Sequence, residues 1–394
     1  MKRLLILLLA VLLGTGAPAP VHAADAGQPR ATEFFTHVTG VNEHGSLFLE
    51  LTAEDMHKRT AITYDDLVNM SLNGRSWANV PVVRRYTDVA AGFPMLIERG
   101  GRLLLSFSYG SFAQQAALYH EESKKWVLND GVDLAALPVR VTLEKKGAYA
   151  PTRQMRLHAT YKREDYASDA IFANFRVVGG GKLGANALYR SSIPSSLTRA
   201  RAPYADSLAA EAGIKTFLNL ANPPDALKAN MTSPKCQSPY YRSVWKEGGV
   251  ITEALPAVFD RPSFKAGLAR QLRFLITRPG PYLVHCAEGK DRAGFTAFLL
   301  AALMGADYAE LERDYGESFL NYYHLKVGEK RYVHYVNSGI RYFMRVIGAP
   351  ENAQRPAAEA ESYLRGCGLT GEEIAQLKDR LGRTWPVERA NEKG

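Results

Sequence analysis

Hydrophobic positions are spaced differently in the two halves of the chain. Before residue 160, short apolar runs are separated by glycine-rich turns, a pattern typical of β-strands. Only residues 111–119 suggest a helix in this part, so we expect residues 24–160 to form a small, mainly-β domain. The strand-like runs are residues 45–51, 80–86, 93–99, 102–108 and 139–143.

From residue 170 onward, strand-like runs alternate with helical segments, and residues 144–170 look like a connection. In residues 264–276, Phe264, Leu268, Leu272 and Leu275 recur at helical spacing. The alternation predicts an α/β fold, a parallel sheet flanked by helices with its site at the carboxyl ends of the strands. Residues 359–377 add a helical C-terminal unit, and Thr370 is placed to cap its second helix, so we expect one domain over residues 170–394. The expected strands are residues 172–178, 187–193, 214–220, 240–255 and 282–285.

The first residues have the pattern of a secretory signal peptide. Lys2 and Arg3 precede an apolar run over residues 4–13, and small residues stand at Val21 and Ala23. We expect cleavage of residues 1–23 and an exported protein, periplasmic or secreted. An uncleaved membrane anchor is the alternative for this run. Since no second stretch is long enough to cross a bilayer, stable membrane insertion of the mature protein is not expected.

The net charge of the chain indicates which kinds of partner it can bind. The 394 residues include 49 basic and 40 acidic ones, a net charge of +9, which suits an anionic substrate or a membrane surface. No basic run is interleaved with aromatic residues, so nucleic-acid binding is not expected. The pattern gives no indication of an oligomeric state.

The most informative stretch is a short loop between a strand and a helix. The apolar run of residues 282–284 leads to Cys286, five residues separate Cys286 from Arg292 (the CX5R spacing), and residues 295–304 are strong helix formers. A loop that short at a helix N-terminus can point successive backbone N–H groups at one tetrahedral anion. We call residues 286–292 the Cys286 loop.

The chemistry of the Cys286 loop follows from its two reactive side chains. The guanidinium of Arg292 can hold two oxygens of a phosphate, and the same positive field stabilises a thiolate at Cys286. A thiolate that faces a bound phosphate is an in-line nucleophile. The loop therefore predicts a phosphocysteine intermediate that water later hydrolyses. Backbone N–H groups of the loop would hold the phosphate oxygens, and Gly289 would let it bend. The phosphate-binding residues are expected to be Ala287, Glu288, Gly289 and Lys290.

Residues 285–294, His-Cys-Ala-Glu-Gly-Lys-Asp-Arg-Ala-Gly, resemble the phosphate-binding signature of cysteine-dependent protein tyrosine phosphatases. They are most similar to the bacterial branch whose loop carries Gly-Lys-Asp-Arg, members of which act on phosphotyrosine, on phosphoinositides or on both. Tyr-Arg-Ser at residues 189–191, Ile-Lys-Thr at 214–216 and Asp-Tyr-x-x-Ser at 314–318 extend the resemblance over roughly residues 170 to 380. It implies a phosphorylated protein or phosphoinositide as the substrate, and no cofactor.

The general acid has three candidates. The resemblance favours Asp291, inside the Cys286 loop, because that branch has its candidate acid there. Asp260 lies 26 residues before Cys286, where other branches carry the acid on a mobile loop, and Asp225 is the third candidate. Lys290 is expected to add positive charge at the rim, which favours a doubly anionic substrate or a second phosphate. His285 is expected to orient its neighbours rather than act as a base.

Two residues depart from the family pattern. Ala293 replaces the usual Ser or Thr, whose hydroxyl bonds the thiolate and helps it to leave, so we expect slow hydrolysis of the phosphocysteine unless Thr296 or His285 substitutes. Ala221 stands where relatives often carry Arg. Both departures favour an alternative function, a catalytically weak phosphate-binding module.

Other interpretations of the loop are weaker. Cys286 as an inert buried residue, or as the sulfur carrier of a rhodanese-type protein, would not explain Gly-Lys-Asp-Arg. A metal enzyme is disfavoured, since no second ligand pair stands at zinc-site spacing. The other cysteines, Cys236 and Cys367, are expected to pair with each other or stay buried, with Cys236 as a resolving thiol for Cys286 as a further alternative.

The N-terminal part faintly resembles the C-terminal β domain of the S-adenosylmethionine hydroxide adenosyltransferases. The similar residues are Tyr-Thr-Asp at 86–88, the hairpin over residues 93–108, and Tyr-Gly-Ser-Phe-Ala at 109–113. The catalytic portion of that family has no counterpart here, so the resemblance implies a binding or packing module and no adenosyl chemistry.

Overall fold

A computed structural model describes residues 30–386 of the chain. The expected signal peptide, residues 1–23, lies outside the described residues. Among the described residues, none of the helices has the length and apolar character needed to cross a membrane.

Residues 33–145 form an eight-stranded sheet, which we call the N-terminal sheet. Its strand order is β1-β10-β4-β5-β6-β7-β3-β2, and all neighbours are antiparallel except β5 and β6. A separate hairpin of β8 and β9 lies outside it. The strands are β1 (Glu33–Thr36), β2 (Val38–Val41), β3 (Leu47–Thr52), β4 (Leu67–Leu72), β5 (Arg75–Val83), β6 (Pro94–Arg99), β7 (Arg102–Phe107), β8 (Tyr119–Glu122), β9 (Lys125–Leu128) and β10 (Val139–Lys145).

A second sheet has five strands in the order β11-β12-β15-β13-β14. Strands β12, β15, β13 and β14 are parallel, and β11 pairs antiparallel with β12. The strand before Cys286, β15, is therefore in the middle of the sheet. The strands are β11 (Arg176–Val177), β12 (Leu188–Ser191), β13 (Thr216–Asn219), β14 (Val250–Thr252) and β15 (Tyr282–His285).

Helices cover both faces of the second sheet, because alternate residues of a buried strand point to opposite sides. Leu283 packs with α5, α6 and α7 on one face, whereas Val284 packs with α8, α9, α10 and the C-terminal helices on the other. The helices are α1 (Ala53–Arg59), α2 (Phe112–Gln115), α3 (Ala150–Gln154), α4 (Asp169–Ala173), α5 (Ala202–Glu211), α6 (Pro224–Thr232), α7 (Pro239–Lys246), α8 (Pro262–Ile276), α9 (Arg292–Leu303), α10 (Tyr308–Tyr323), α11 (Lys330–Tyr332), α12 (Ser338–Ile347), α13 (Ala357–Gly366) and α14 (Gly371–Gly382).

The α/β interpretation is confirmed, as are several individual elements. The apolar stripe of residues 264–276 forms α8, which buries Phe264, Leu268 and Leu272. Thr370 caps α14, since its hydroxyl accepts a hydrogen bond from the N–H of Glu373 at 3.1 Å. The strand before Cys286 and the helix after it also form where the pattern indicates.

Four local predictions were wrong, those for residues 53–59, 144–170, 172–178 and 240–255. Residues 240–255 were expected to be extended, but α7 occupies the first part and only Val250–Thr252 is strand. The helix starts there because the carboxylate of Asp206 accepts hydrogen bonds from the N–H groups of Tyr240 and Tyr241, and this partner lies far away in the sequence. Residues 53–59 form α1, which the strand pattern did not indicate. Residues 144–170, expected as a connection, contain α3.

Only the first two residues of the expected strand over residues 172–178 are helical, as the end of helix α4. Ser168 caps this helix by accepting a hydrogen bond from the N–H of Ile171 at 3.2 Å. Asn174 then ends it in the left-handed conformation, with φ at 50°, and only Arg176–Val177 pairs as a strand. A side-chain cap and a left-handed stop therefore override the apolar run.

Candidate active site

Cys286 directly follows the central strand β15 and is 2% exposed. It lines a cavity of about 280 Å³ together with the loop residues Ala287, Glu288, Asp291 and Arg292. Because α9 begins at Arg292, this cavity lies at the positive end of a helix. The sulfur therefore lies beside a recess whose walls favour an anion.

Four carbonyl groups of the Cys286 loop, those of residues 287–290, point into the protein, where each accepts a hydrogen bond. The carbonyl of Ala287 accepts from the N–H of Ile193 at 3.3 Å. That of Glu288 accepts from the hydroxyl of Tyr322 at 2.6 Å and from the amide of Asn174 at 3.1 Å. Those of Gly289 and Lys290 both accept from Arg190.

This arrangement orients the N–H groups of the loop. In a trans peptide the carbonyl and the following N–H point in opposite directions, so four inward carbonyls turn the N–H groups of residues 288–291 the other way. Within residues 30–386, the N–H groups of residues 287–291 donate to no protein acceptor. The loop thus has the free, convergent donors that bind a tetrahedral anion.

Gly289 is needed for the loop to adopt this shape. Its φ is +67°, and a Cβ there would lie 2.3 Å from the carbonyl oxygen of Ser191. Any other residue would therefore combine an unfavourable backbone conformation with a steric clash.

Arg292 is anchored by the ends of two neighbouring strands. Its Nη1 donates to the carbonyl oxygen of Leu220, just after β13, at 2.8 Å and to that of Leu255, beyond β14, at 3.1 Å. Arg292 also lines the cavity beside Cys286. One nitrogen is thus fixed by the protein, and the rest of the guanidinium fork is available to an anion.

A buried network lies beneath the loop, and the sequence did not indicate its role. Arg190 is fully buried, and its Nη1 pairs with Asp314 Oδ2 at 2.5 Å. Arg176 pairs with the other oxygen of Asp314 at 3.2 Å. Burial alone would raise the pKa of Asp314, but the two guanidinium groups lower it below its usual value. Arg190 and Asp314 belong to the Tyr-Arg-Ser and Asp-Tyr-x-x-Ser patterns of the sequence. These patterns do not indicate that the two side chains are in contact.

The three candidate acids lie in different places. Asp291 lines the cavity with Cys286. Asp260 does not line this cavity, and burial raises its pKa. Asp225 is exposed in the first turn of α6. Of these three candidates, only Asp291 therefore lines the cavity that contains the sulfur.

His285 is buried behind Cys286 and is neutral. Burial and the positive charge of Arg292 lower its pKa to about 3, and its Nε2 lies 3.2 Å from the hydroxyl of Tyr241. A neutral, buried imidazole cannot supply a proton near pH 7. This placement fits an orienting group.

Lys290 lines a second cavity, of about 710 Å³, rather than the one around Cys286. Its Nζ donates to the hydroxyl of Tyr323 at 2.9 Å and lies 5.4 Å from the ring centre of Phe319. Burial alone would lower the pKa of Lys290, but the carboxylate of Asp291 and the nearby tyrosines raise it well above its usual value. Lys290 therefore contributes a positive charge away from the sulfur.

Thr296 is not positioned to replace the hydroxyl missing at Ala293. The hydroxyl of Thr296 donates to the carbonyl oxygen of Arg292, one turn earlier in α9, at 2.9 Å. Because this bond uses its proton, Thr296 is not available to the sulfur. His285 is no substitute donor in a charged form, as its low pKa shows.

Two residues of the N-terminal part reach the site, which the sequence did not indicate. His44 lines both cavities, and Tyr109 lines the larger cavity together with Asp291. Arg261 joins the two parts: its Nη1 donates to the carbonyl oxygen of Glu43 at 2.8 Å, and its Nε lies 2.7 Å from Glu121 Oε1. The loop before α8 is thus held against the N-terminal part.

The remaining cysteines are free. Cys236 and Cys367 do not pair with each other, and burial raises the pKa of Cys367 to about 12. Cys236 packs with the hydrophobic cluster on the opposite face of the sheet from Cys286. Within residues 30–386, no group of three or more His, Cys, Asp or Glu side chains is arranged to hold a metal ion.

Comparisons with known proteins point to one family. A family model described as the tyrosine phosphatase family matches residues 171–383, just over half of the chain. A search of curated proteins gave no match. Among solved structures, the chain is similar to an uncharacterized conserved protein from Thermotoga maritima, with 14% identity over 29% of this chain and 39% of that one and a TM-score of 0.22.

Proposed function

The chain belongs to the tyrosine phosphatase family, and from this premise we propose that it hydrolyses phosphomonoesters through a phosphocysteine intermediate on Cys286. The observation that carries the proposal is the position of the sulfur beside free backbone donors and a guanidinium fixed by Leu220 and Leu255. These groups favour the extra negative charge of a phosphoryl transition state.

The proposed reaction has two steps. The thiolate of Cys286 attacks phosphorus, the bond to the ester oxygen breaks, and Asp291 gives its proton to that oxygen as the alcohol leaves. A water molecule then attacks the phosphocysteine while the carboxylate of Asp291 takes a proton from it. The thiolate leaves, and inorganic phosphate is released. Arg292 and the N–H groups of residues 288–291 hold the phosphoryl oxygens in both steps.

We propose phosphotyrosine as the substrate class, with phosphoinositides or inositol phosphates as the alternative. Assignment to the Gly-Lys-Asp-Arg branch rests on residues 289–292 and is part of the same proposal. We also propose that residues 24–160 and 170–394 are separate domains, the first being a binding or packing module similar to the β domain of the adenosyltransferases. Export through the N-terminal signal peptide is a further proposal. N-terminal sequencing of the protein from periplasm or medium tests it, with an expected start near residue 24.

The test of the function is hydrolysis of an aryl phosphate by the mature protein, beside the Cys286→Ser variant. We expect turnover that vanadate inhibits, that a chelator does not change and that the variant lacks. Full activity in the variant would contradict the proposal. Comparing kcat/KM for a phosphotyrosine peptide and for a phosphoinositide decides the substrate class.

A second candidate is a phosphate-binding module with little turnover, which Ala293 favours. It predicts that vanadate binds while hydrolysis stays at background. A substrate panel with simultaneous vanadate titration separates the two functions, because only the enzyme converts binding into product.

A further inference from the structure

The cavity around Cys286 is lined by residues of both parts of the chain. Most of them belong to the Cys286 loop, and Leu255, Pro256 and Ala257 follow strand β14. His44, from the N-terminal part, completes the lining. Because Leu255, Pro256 and Ala257 have apolar side chains, His44 is the polar side chain among the described lining residues outside the Cys286 loop.

His44 also lines the larger cavity, together with Ala257 and Asp291. These three residues are common to both cavities, so the two spaces meet there. The side chain of His44 is 67% exposed, which leaves its ring accessible to a solute that enters the site.

The backbone of His44 is held by the turn between β2 and β3. The side-chain oxygen of Asn42 accepts hydrogen bonds from the N–H groups of His44 and Ser46, both at 2.9 Å. The carbonyl oxygen of Gly45 accepts another from the N–H of Ala113 at 2.9 Å. The turn therefore has one defined conformation, which fixes the position of His44.

Arg261, directly before α8, holds the same turn from the other part of the chain. Its Nη1 donates to the carbonyl oxygen of Glu43 at 2.8 Å, and the indole N–H of Trp126 donates to the same oxygen at 3.2 Å. The guanidinium of Arg261 lies over the ring of Trp126, 4.6 Å from its centre, and Nε lies 2.7 Å from Glu121 Oε1. These contacts fix the residue before His44 relative to the segment that lines the Cys286 cavity.

The ring of His44 is not used inside the protein. Among the described residues, its nitrogens make no hydrogen bond, and its one ion pair joins Nε2 to Glu43 Oε1 at 3.5 Å. An exposed pair at this distance contributes little. An imidazole carries at least one N–H in either protonation state. A fixed backbone therefore places an uncommitted donor beside the recess that contains the sulfur.

Given the phosphatase function proposed above, we propose that His44 is a substrate-binding residue, which donates a hydrogen bond to the phosphoryl group held by the Cys286 loop. Arg292 and the N–H groups of the loop bind this group from one element, and His44 supplies a donor from the N-terminal part. Both parts of the chain then form the substrate site.

The experiment measures binding of phenyl phosphate to the mature protein that carries Cys286→Ser, and kcat/KM for the same ester in the protein with Cys286. His44→Ala should weaken binding at least tenfold and lower kcat/KM by a similar factor, because it removes a hydrogen bond to a charged group. His44→Gln keeps an N–H donor, so its affinity should return to within about threefold of the parent.

His37→Ala is the matched control. His37 is a histidine of the N-terminal part whose Nδ1 lies 3.6 Å from Glu50 Oε2, much as the ring of His44 lies near Glu43, and it lines neither cavity. Its replacement should leave binding and kcat/KM unchanged. Neither histidine is buried, so urea unfolding of both variants should match the parent.

Unchanged binding of phenyl phosphate in His44→Ala would overturn the proposal, as would an equal loss in His37→Ala. A loss that His44→Gln does not reduce would contradict the hydrogen bond. The phosphatase function is tested separately. Binding that depends on His44, without turnover of any phosphate, would support the contact and contradict only the proposed catalysis. Turnover that His44→Ala leaves unchanged would overturn the contact and leave the phosphatase function in place.

Discussion

Arg190 donates two hydrogen bonds to the carbonyl oxygen of Gly289, from Nε at 3.0 Å and from Nη2 at 2.7 Å. Nη2 also donates to the carbonyl oxygen of Lys290 at 3.1 Å. These bonds connect strand β12 to the Cys286 loop and turn the N–H groups of Lys290 and Asp291 away from Arg190. In the proposed reaction, Arg190 is therefore a positioning residue, which would act on the phosphate through the loop.

Replacing Arg190 by lysine should separate its effect on the Cys286 loop from its effect on the stability of the fold. Lysine keeps the charge opposite Asp314, but it lacks the planar fork that bonds two loop carbonyls. We expect at least tenfold weaker vanadate binding in Arg190→Lys, since a hydrogen bond to a charged group contributes about 1.5 kcal/mol or more. Vanadate titration and urea unfolding of the same preparation measure the two effects.

Arg176→Lys is the control for Arg190→Lys. Arg176 also pairs with Asp314, yet it donates to no carbonyl of the Cys286 loop. Its replacement should lower the free energy of unfolding with a much smaller change in vanadate affinity. Equal losses of vanadate affinity in the two variants would show that the network only stabilises the fold.

Asp291→Asn should impair catalysis most for esters with a poor leaving group. An acid that protonates the departing oxygen contributes about 10²- to 10⁴-fold, and a strongly activated alcohol needs that proton less. We expect the loss of kcat to be at least tenfold greater for phenyl phosphate than for 4-nitrophenyl phosphate. Steady-state kinetics with this pair of substrates provides the measurement.

Asp260→Asn tests the other candidate acid with the same two substrates. Asp260 does not line the cavity around Cys286, so we expect little difference between the leaving groups. If the dependence on the leaving group appeared in this variant and not in Asp291→Asn, Asp260 would be the acid.

The sequence predicts a residue of the site when that residue lies close to the others in the chain. Cys286, Asp291 and Arg292 lie in one short loop, and a strand before it and a helix after it are strong local signals. They could therefore be placed at one cavity in advance. Arg190 reaches Gly289 across 99 residues, and a contact at that distance leaves no local pattern.

Tyr109, in the N-terminal part, is another residue whose place at the site has no local pattern in the sequence. The sequence shows Tyr109 only as part of the Tyr-Gly-Ser-Phe-Ala segment, whereas its place beside Asp291 in the larger cavity depends on how the N-terminal sheet packs against the second one. Helix α7 was missed for a similar reason, since its start is stabilised by Asp206 on α5. In these cases long-range packing, rather than local propensity, decides the structure.

His285 should make the protein less stable in mild acid. An unfolded histidine has a pKa near 6.5, whereas burial and Arg292 lower that of His285 to about 3. Below pH 6.5 the unfolded chain therefore binds a proton that the folded protein does not. The free energy of unfolding should fall by up to about 1.4 kcal/mol per pH unit as the pH decreases from 6 toward 4.

His285→Asn should remove this part of the pH dependence. Urea unfolding of both proteins at pH 7, 6 and 5 measures the difference, and contributions of other groups cancel in it. One of these is Asp206, whose pKa burial raises to about 6, so its contribution has the opposite sign and decreases as the pH rises through 6. Identical pH dependence in the two proteins would show that His285 titrates normally.

Ala293→Ser should accelerate the second step of the reaction. Ala293 is fully buried in the first turn of α9, and the nearby hydroxyl of Thr296 is committed to the carbonyl oxygen of Arg292. Without a hydroxyl at position 293, the thiolate is a poorer leaving group and phosphocysteine should accumulate. Pre-steady-state kinetics of the natural protein should then show a burst of alcohol release close to one equivalent per site.

A serine hydroxyl at position 293 can donate to the departing thiolate. A hydrogen bond to a charged group contributes about 1.5 kcal/mol or more, so we expect kcat to rise about tenfold and the burst to shrink. Ala297→Ser is the matched control, since it adds the same hydroxyl to a buried alanine one turn further along α9, and it should keep the burst. A burst of unchanged size in Ala293→Ser would show that hydrolysis of the intermediate is not limited by the leaving sulfur.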